Sequence, residues 1–338
     1  MRSSPRKFYF PDTMATWPWL RTINPHFEEV KAASDAWFRE FKAFSPQSQK
    51  AFDRCDFEHL RTACDLTKVY FIIDEYTDVE NATTTREMVD VVLDALKKPY
   101  TPRPATEVIL GEVVRQFWAL AIQTASSSSQ RHFMKEFTAW LYSLVTQAAD
   151  RDEGVCRSIN GYLAVRRDNV ATRPSFIGLE IAMELPDEVF YHPLVVELTG
   201  YITDMVIVDN DIVSYNREQA TGDENHNLIT AAIRELDVDV GSAVAWAANY
   251  HIALQGIFLH RLAHVPSWGP TIDEHLHEYL HGMANWARAN YCWSFESERY
   301  FGTKGPEIQR SRIVPLLPKI RVDPDLHRED VVVADIEL

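Results

Sequence analysis

The run "NDIVSYNRE" carries Asn210, Ser214 and Glu218 at intervals of four. On a helix, four residues advance about 400° and rise about 6 Å, so the three side chains share one face. Amide carbonyl, hydroxyl and carboxylate oxygens in a row are hard donors that suit a divalent ion such as Mg2+. An ordinary solvated helix face fits the same triplet. A second cluster narrows the choice. "VYFIIDEYTD" runs an apolar helical stretch into Asp74, Glu75 and Asp78, with Asp74 and Asp78 one turn apart. Carboxylates beside Phe71, Ile72 and Ile73 are costly to bury without a cation or hydrogen bonds, unless the helix simply ends in water there.

A third group points elsewhere. "HEYLH" places His277, Glu278 and His281 in the zinc-protease pattern, two histidines four apart with a glutamate between them as base. Glu296 or Glu298 downstream could complete that site. This alternative makes the chain a zinc metalloprotease. His260, His264 and His275 nearby mark a local histidine bias, however, and the motif accounts for neither oxygen cluster.

The elements that must position these residues read as helices. "REMVDVVLDALKK" repeats apolar residues at three and four, with acids early and lysines last, and stops at "PYTPRP". Further helices are expected through "EVILGEVVRQFWALAIQTA", "QRHFMKEFTAWLYSLVTQAA", "PLVVELTGYITDMVIVDNDIVSYNREQA", "AVAWAANYHIALQGIFLHRLAHV" and "IDEHLHEYLHGMANWARANYCWSF". "SSSSQ" reads as a break with a cap rather than a flexible linker. The expectation is one all-α domain over residues 1–338, with the segment 1–25 and the tail 319–338 less regular.

Composition excludes several classes. Hydrophobic residues at 46% against 25% charged residues give a globular chain rather than a disordered one. The net charge of −15 argues against nucleic acid as partner, because phosphate backbones are bound by basic clusters. An acidic chain that binds an anion must gather positive charge locally, from side chains or metal ions. The four cysteines show no paired spacing, so neither a zinc knuckle nor a disulfide framework is indicated. No apolar run reaches the roughly 18 residues of a membrane span, and the opening lacks the apolar core of a secretory signal, so a cytoplasmic protein is expected.

"DEYTD" followed by "NDIVSYNRE" resembles the paired metal motifs of class I terpene cyclases, and the whole chain resembles fungal sesquiterpene synthases. "WPWLRTINPHFEEV" and "WSFESERYFG" resemble the flanking segments of that family. The resemblance implies the class I terpenoid synthase fold, an antiparallel helical bundle around a central active-site cavity. It implies Asp74, Asn210, Ser214 and Glu218 as ligands to three Mg2+ ions, with Glu75 and Asp78 in support. "RRDNVA" matches the family's sensor segment, which makes Arg167 the diphosphate sensor and Ala171 the residue whose carbonyl responds to it. Arg217, Arg299 and Tyr300 take the remaining diphosphate-binding positions.

The implied reaction is Mg2+-assisted ionisation of farnesyl diphosphate and cyclisation of the cation, by 1,11-closure to a humulyl-derived product such as protoilludene. Phe71 and Trp293 are candidates to line the hydrocarbon pocket. The implied assembly is a monomer or homodimer. Chain elongation is disfavoured because no second aspartate-rich motif is present, and protonation-initiated cyclisation because no Asp-x-Asp-Asp run is. One departure is visible: the connection "FDRCDFEHLRTACDLTKVYF" before Asp74 is more compact than is usual in that family.

Overall fold

The computed structural model describes residues 7–53 and 61–319. Part of the compact connection before Asp74 (54–60) and almost all of the expected tail (320–338) lie outside the described residues. The rest is helical apart from two three-residue strands. β1 (Lys7–Tyr9) and β2 (Ile313–Pro315) pair antiparallel with Phe8 opposite Val314, which ties the two ends of the described chain together.

Helices α1 (Phe27–Arg39), α2 (Pro46–Asp53) and α3 (Arg61–Thr77) come first, and α3 ends within "DEYTD". α4 (Ala82–Lys97) starts where the Asn81 side chain accepts a hydrogen bond from the Thr84 amide at 3.0 Å, and it stops just before the proline-rich segment. After α5 (Leu110–Ala121), the serine run is indeed a cap: Ser126 Oγ accepts from the Ser129 amide at 3.1 Å and opens α6 (Ser127–Asp152). α7 (Ile159–Asn169) is capped by Ser158. It breaks at Ala171, a non-glycine residue at φ 58°, and continues as the short turns α8 (Thr172–Ser175) and α9 (Ile177–Glu180). The single turn α10 (Asp187–Phe190) follows.

The long helix α11 (Pro193–Thr221) opens on a proline and ends at Gly222, whose φ of 95° only glycine adopts without strain. Its middle is buried on every side, with Ile202, Met205, Ile207 and Val208 in the core and Asp204 a charged exception among them. A helix of that kind belongs in the centre of a bundle. It packs against α12 (Leu228–Leu236), α13 (Val240–Leu262) and α14 (Pro270–Glu296), which with the N-terminal strand form one apolar cluster. The helices α1 to α6 form a second cluster around Trp140, Phe133 and Phe137. α15 (Glu298–Phe301) and α16 (Gly305–Ser311) close the described chain. No helix among the described residues is long and apolar enough to cross a membrane.

Residues 12–24 lie as an irregular strap over α14. Arg288 donates to the carbonyls of Met14 (2.8 Å), Trp17 (3.0 Å) and Trp19 (2.8 Å), and the Trp17 indole donates to the Ala284 carbonyl at 3.0 Å. These bonds carry Leu20, Arg21 and Asn24 to the mouth of the cavity that the two clusters enclose.

Candidate active site

The cavity holds about 710 Å3, and its wall draws on α3, α6, α7, α8, α9, α11, α14 and α15. Asp74, Glu75 and Asp78 reach it from the end of α3, and Asn210, Ser214 and Glu218 reach it from α11. The two oxygen clusters therefore share one opening, although about 130 residues separate them in sequence. Phe71, Trp293, Arg217, Arg299, Tyr300 and Ala171 line the same cavity.

Asn210 is held from both sides. Its Oδ1 accepts from Arg166 Nη2 at 2.9 Å, and its Nδ2 donates to the Tyr300 hydroxyl at 2.9 Å. Asn227 serves the other two oxygens of the α11 face, with Nδ2 at 2.9 Å from Glu218 Oε2 and 3.3 Å from Ser214 Oγ. Behind them, Asp211 accepts from the Tyr162 hydroxyl at 2.6 Å and from the Leu228 amide at 2.8 Å. Burial pushes the Asp211 carboxyl above its ordinary value, and Arg166 opposes the rise. Protein donors thus occupy oxygens that the sequence assigns to a metal.

Arg167 departs from expectation. It forms a two-pronged ion pair with Asp204 (2.7 and 2.8 Å), which also accepts from the Tyr250 hydroxyl, and it does not line the cavity. Successive helical residues point about 100° apart, so only one of the two arginines can face inward. That residue is Arg166, which also donates to Asn169 Oδ1 at 2.7 Å. Burial alone would weaken its hold on the proton, but the Tyr162, Asp211 and Glu218 side chains outweigh burial and keep the guanidinium charged. Spacing could not reveal Arg166, Asn169 or Asn227 as site residues. "RRDN" offers two adjacent arginines, and Asn227 reads only as the cap of α12, a role it also fills.

The aromatic candidates do more than line the wall. The Arg299 guanidinium lies 4.4 Å from the centre of the Phe71 ring, Phe71 meets Trp293 at 6.2 Å, and Trp293 meets Tyr300 at 5.9 Å. A cation over a ring face is attracted by the ring's quadrupole. Phe71 and Trp293 therefore help to place the two cavity-mouth groups of α15.

Burial first, and then the neighbouring charge of Asp78, push the Asp74 carboxyl up to about 8, against the pull of Arg299 and Arg166. Glu75 Oε2 is buried without a hydrogen-bond partner among the described residues. Crowded carboxylates and an orphaned carboxylate oxygen are what a divalent cation relieves, and the donor set consists of oxygen alone. The residues fit a hard divalent metal.

They do not make a zinc centre. Among the described residues, no three His, Cys, Asp or Glu side chains converge on a point. His277 and Glu278 are exposed and stand outside the cavity wall, and His281 Nδ1 accepts from the Trp19 indole at 3.2 Å. Glu296, one proposed third ligand, pairs with Arg21 at the strap. The zinc-protease spacing is a consequence of histidines four apart on an ordinary helix, with the third ligand missing.

Comparison with known proteins agrees with this geometry. A family model described as "Terpene synthase family 2, C-terminal metal binding" matches residues 65–254, a span that contains both oxygen clusters. Delta(6)-protoilludene synthase 18 of Postia placenta is 54% identical over 349 residues, covering 99% of this chain and 100% of that protein. Delta(6)-protoilludene synthase of Armillaria gallica is 47% identical over 328 residues, covering 93% and 95%. Among solved structures, an a-eudesmol synthase superposes with a TM-score of 0.71 at 18% identity, covering 83% of this chain and 98% of that one, which supports the fold alone. The all-α bundle, the shared cavity with its oxygen donors and these full-length relatives lead to one conclusion: the chain belongs to the terpene synthase family, a family of metal-dependent lyases.

Proposed function

We propose that the chain is a sesquiterpene cyclase that ionises farnesyl diphosphate and closes the resulting cation, by joining carbon 1 to carbon 11, toward a humulyl-derived hydrocarbon such as protoilludene. The observation that carries this reading is the convergence of Asp74 and the Asn210, Ser214 and Glu218 face on one cavity, with Arg166, Arg217 and Arg299 among its lining residues. Asp74, Asn210, Ser214 and Glu218 are the residues that would hold Mg2+, with three ions expected. Bound metal would supply positive charge to the diphosphate as it leaves.

The chain's own residues do the rest. Arg166, Arg217, Arg299 and Tyr300 line the cavity and would offer donors to the departing diphosphate as it gathers negative charge. Arg166 Nε is buried without a partner among the described residues, so this guanidinium can take an anion without breaking its bonds to Asn169 and Asn210. Below the mouth, Phe71, Trp286 and Trp293 present rings that stabilise a passing cation by about 0.5–2 kcal/mol each. The strap over α14 narrows the opening and limits the access of water to the cation.

Support for the product class comes from relatives named Delta(6)-protoilludene synthase at 54% and 47% identity. The test is incubation of the purified chain with Mg2+ and, separately, the C10, C15 and C20 prenyl diphosphates, followed by analysis of the volatile hydrocarbons. A cyclic C15 hydrocarbon from farnesyl diphosphate is the expected result. Turnover of only the C10 or C20 substrate, or of none, overturns the reading.

A further inference from the structure

Deeper in the cavity, two hydroxyls stand out among the side chains of the wall. Tyr70 lies one turn of α3 inside Asp74 and is 7% exposed, and Thr172 opens α8 and is 2% exposed. Both line the cavity; the Thr172 hydroxyl has no hydrogen-bond partner among the described residues, and the Tyr70 hydroxyl makes no well-formed bond there, its one polar neighbour being the Ser175 hydroxyl, which already donates to Ala171. Other hydroxyls of the same wall are satisfied: Thr67 donates to the Ala63 carbonyl at 2.8 Å and Ser175 to the Ala171 carbonyl at 2.7 Å. Thr172 cannot bond back in this way, because the left-handed turn at Ala171 leaves no helical turn before it. A buried hydroxyl without a partner costs stability. Two of them facing one cavity call for a use in the chemistry.

Resting on the proposed cyclisation, we infer that Tyr70 and Thr172 form the proton-accepting patch of the cavity and take the proton whose loss ends the cation cascade. The electron pair of the broken C–H bond becomes the new C=C bond, which neutralises the cation. The proton goes to a lone pair of a hydroxyl oxygen and then to the oxygens of the diphosphate released at the mouth, one helical turn away along α3. Atoms and charge balance with no further reactant. Neutral oxygens suit this step, because the final cation is a strong carbon acid and gives up its proton to a weak base. A carboxylate in the same place would instead capture the cation covalently. The position of the patch also selects which C–H bond breaks, so Tyr70 and Thr172 act as catalytic residues that set the double-bond isomer.

Three variants of the full chain test this, each incubated with Mg2+ and farnesyl diphosphate and read as the fraction of each product in the total, which a general loss of rate does not move. Tyr70→Phe and Thr172→Val keep the shape and remove a hydroxyl. Each should lower the share of the principal hydrocarbon at least twofold in favour of other alkenes or an alcohol. Thr172→Ser changes the shape and keeps the hydroxyl, and should retain the original product fractions. Unchanged fractions in both Phe and Val variants overturn the inference, and so does a shift in Thr172→Ser as large as that in Thr172→Val, since contour alone would then explain both. If Tyr70→Phe does not fold, the threonine pair decides. Absence of any product from the unsubstituted chain overturns the farnesyl diphosphate reading itself, and this one with it.

Discussion

Arg166 Nη2 donates to Asn210 Oδ1 at 2.9 Å, so the oxygen expected to meet a metal ion is held by a cation of the protein itself. The Arg166 side chain connects α7 to the ligand face of α11, and it bridges Asn169, Asn210 and Asp211. In the proposed reaction the unpartnered Nε of this guanidinium would meet the anion while its bonds to Asn169 and Asn210 stay in place. The neighbouring Arg167 is paired away from the cavity with Asp204, which also accepts from the Tyr250 hydroxyl.

That difference predicts the outcome of paired substitutions. Arg166→Ala should lower turnover of farnesyl diphosphate by roughly 100-fold or more, as expected where a donor to the developing charge is lost. Arg167→Ala should leave turnover within a few-fold and lower stability by about 1–3 kcal/mol, because the nearly buried Asp204 loses a charged partner. Steady-state kinetics and thermal melts of both variants check this. Equal losses of turnover would place both arginines in the reaction.

Asn227 should separate metal binding from folding. Its Oδ1 caps α12 through the Ile229 amide at 2.8 Å, while its Nδ2 holds Ser214 and Glu218. Asn227→Ser keeps a capping oxygen and loses the reach to Glu218. The expected result is a melt close to that of the parent and a 10- to 100-fold higher Mg2+ concentration for half-maximal activity, on the order seen for groups that orient metal ligands. An unchanged metal requirement would assign Asn227 to the cap alone.

The acidic end of α3 predicts a pH dependence. With Asp74 raised to about 8 in the metal-free protein, Mg2+ must displace its proton, so affinity should fall about tenfold per pH unit as pH drops below that value. Asp78→Asn removes the second-largest cause of the rise and should move the fall to lower pH. The stability of the metal-free fold runs the other way. The folded state holds a proton that the unfolded chain releases near 3.8, so Asp74 costs increasing stability as pH rises from there to about 8 and no more beyond it. Mg2+ titrations and melts at several pH values, with and without the metal, would show both trends. A pH-independent affinity would contradict them.

Gly282 on α14 sets part of the cavity wall. A β-carbon there would stand 2.8 Å from Leu179 Cδ2, closer than atoms in contact allow, and both residues line the cavity. Gly282→Ala should push Leu179 inward and redistribute the products while the chain still folds. Adding Leu179→Val should restore much of the original pattern. Chromatography of the products from the single and double variants tests this, and identical patterns in all of them would remove Gly282 as a determinant of shape.

The sequence by itself determined what depends on neighbours a few residues away. Ser126 caps α6 where the serine run suggested, α4 starts one turn earlier than its apolar repeat showed, and a four-residue spacing put Asn210, Ser214 and Glu218 on one face before any packing was known. The all-α class follows from the same local periodicity. Only the tertiary structure decided which face of each helix looks into the cavity. Adjacent positions on α7 differ by about 100°, so the choice of Arg166 over Arg167 waited on how α7 packs against α6 and α11. For the same reason His277 and His281, with ideal spacing, found no third ligand among the described residues, and Tyr70 and Thr172, with no spacing signal at all, face the cavity together. Helical periodicity encodes relative direction along one element, whereas a site is built from absolute directions across several, and packing alone sets those.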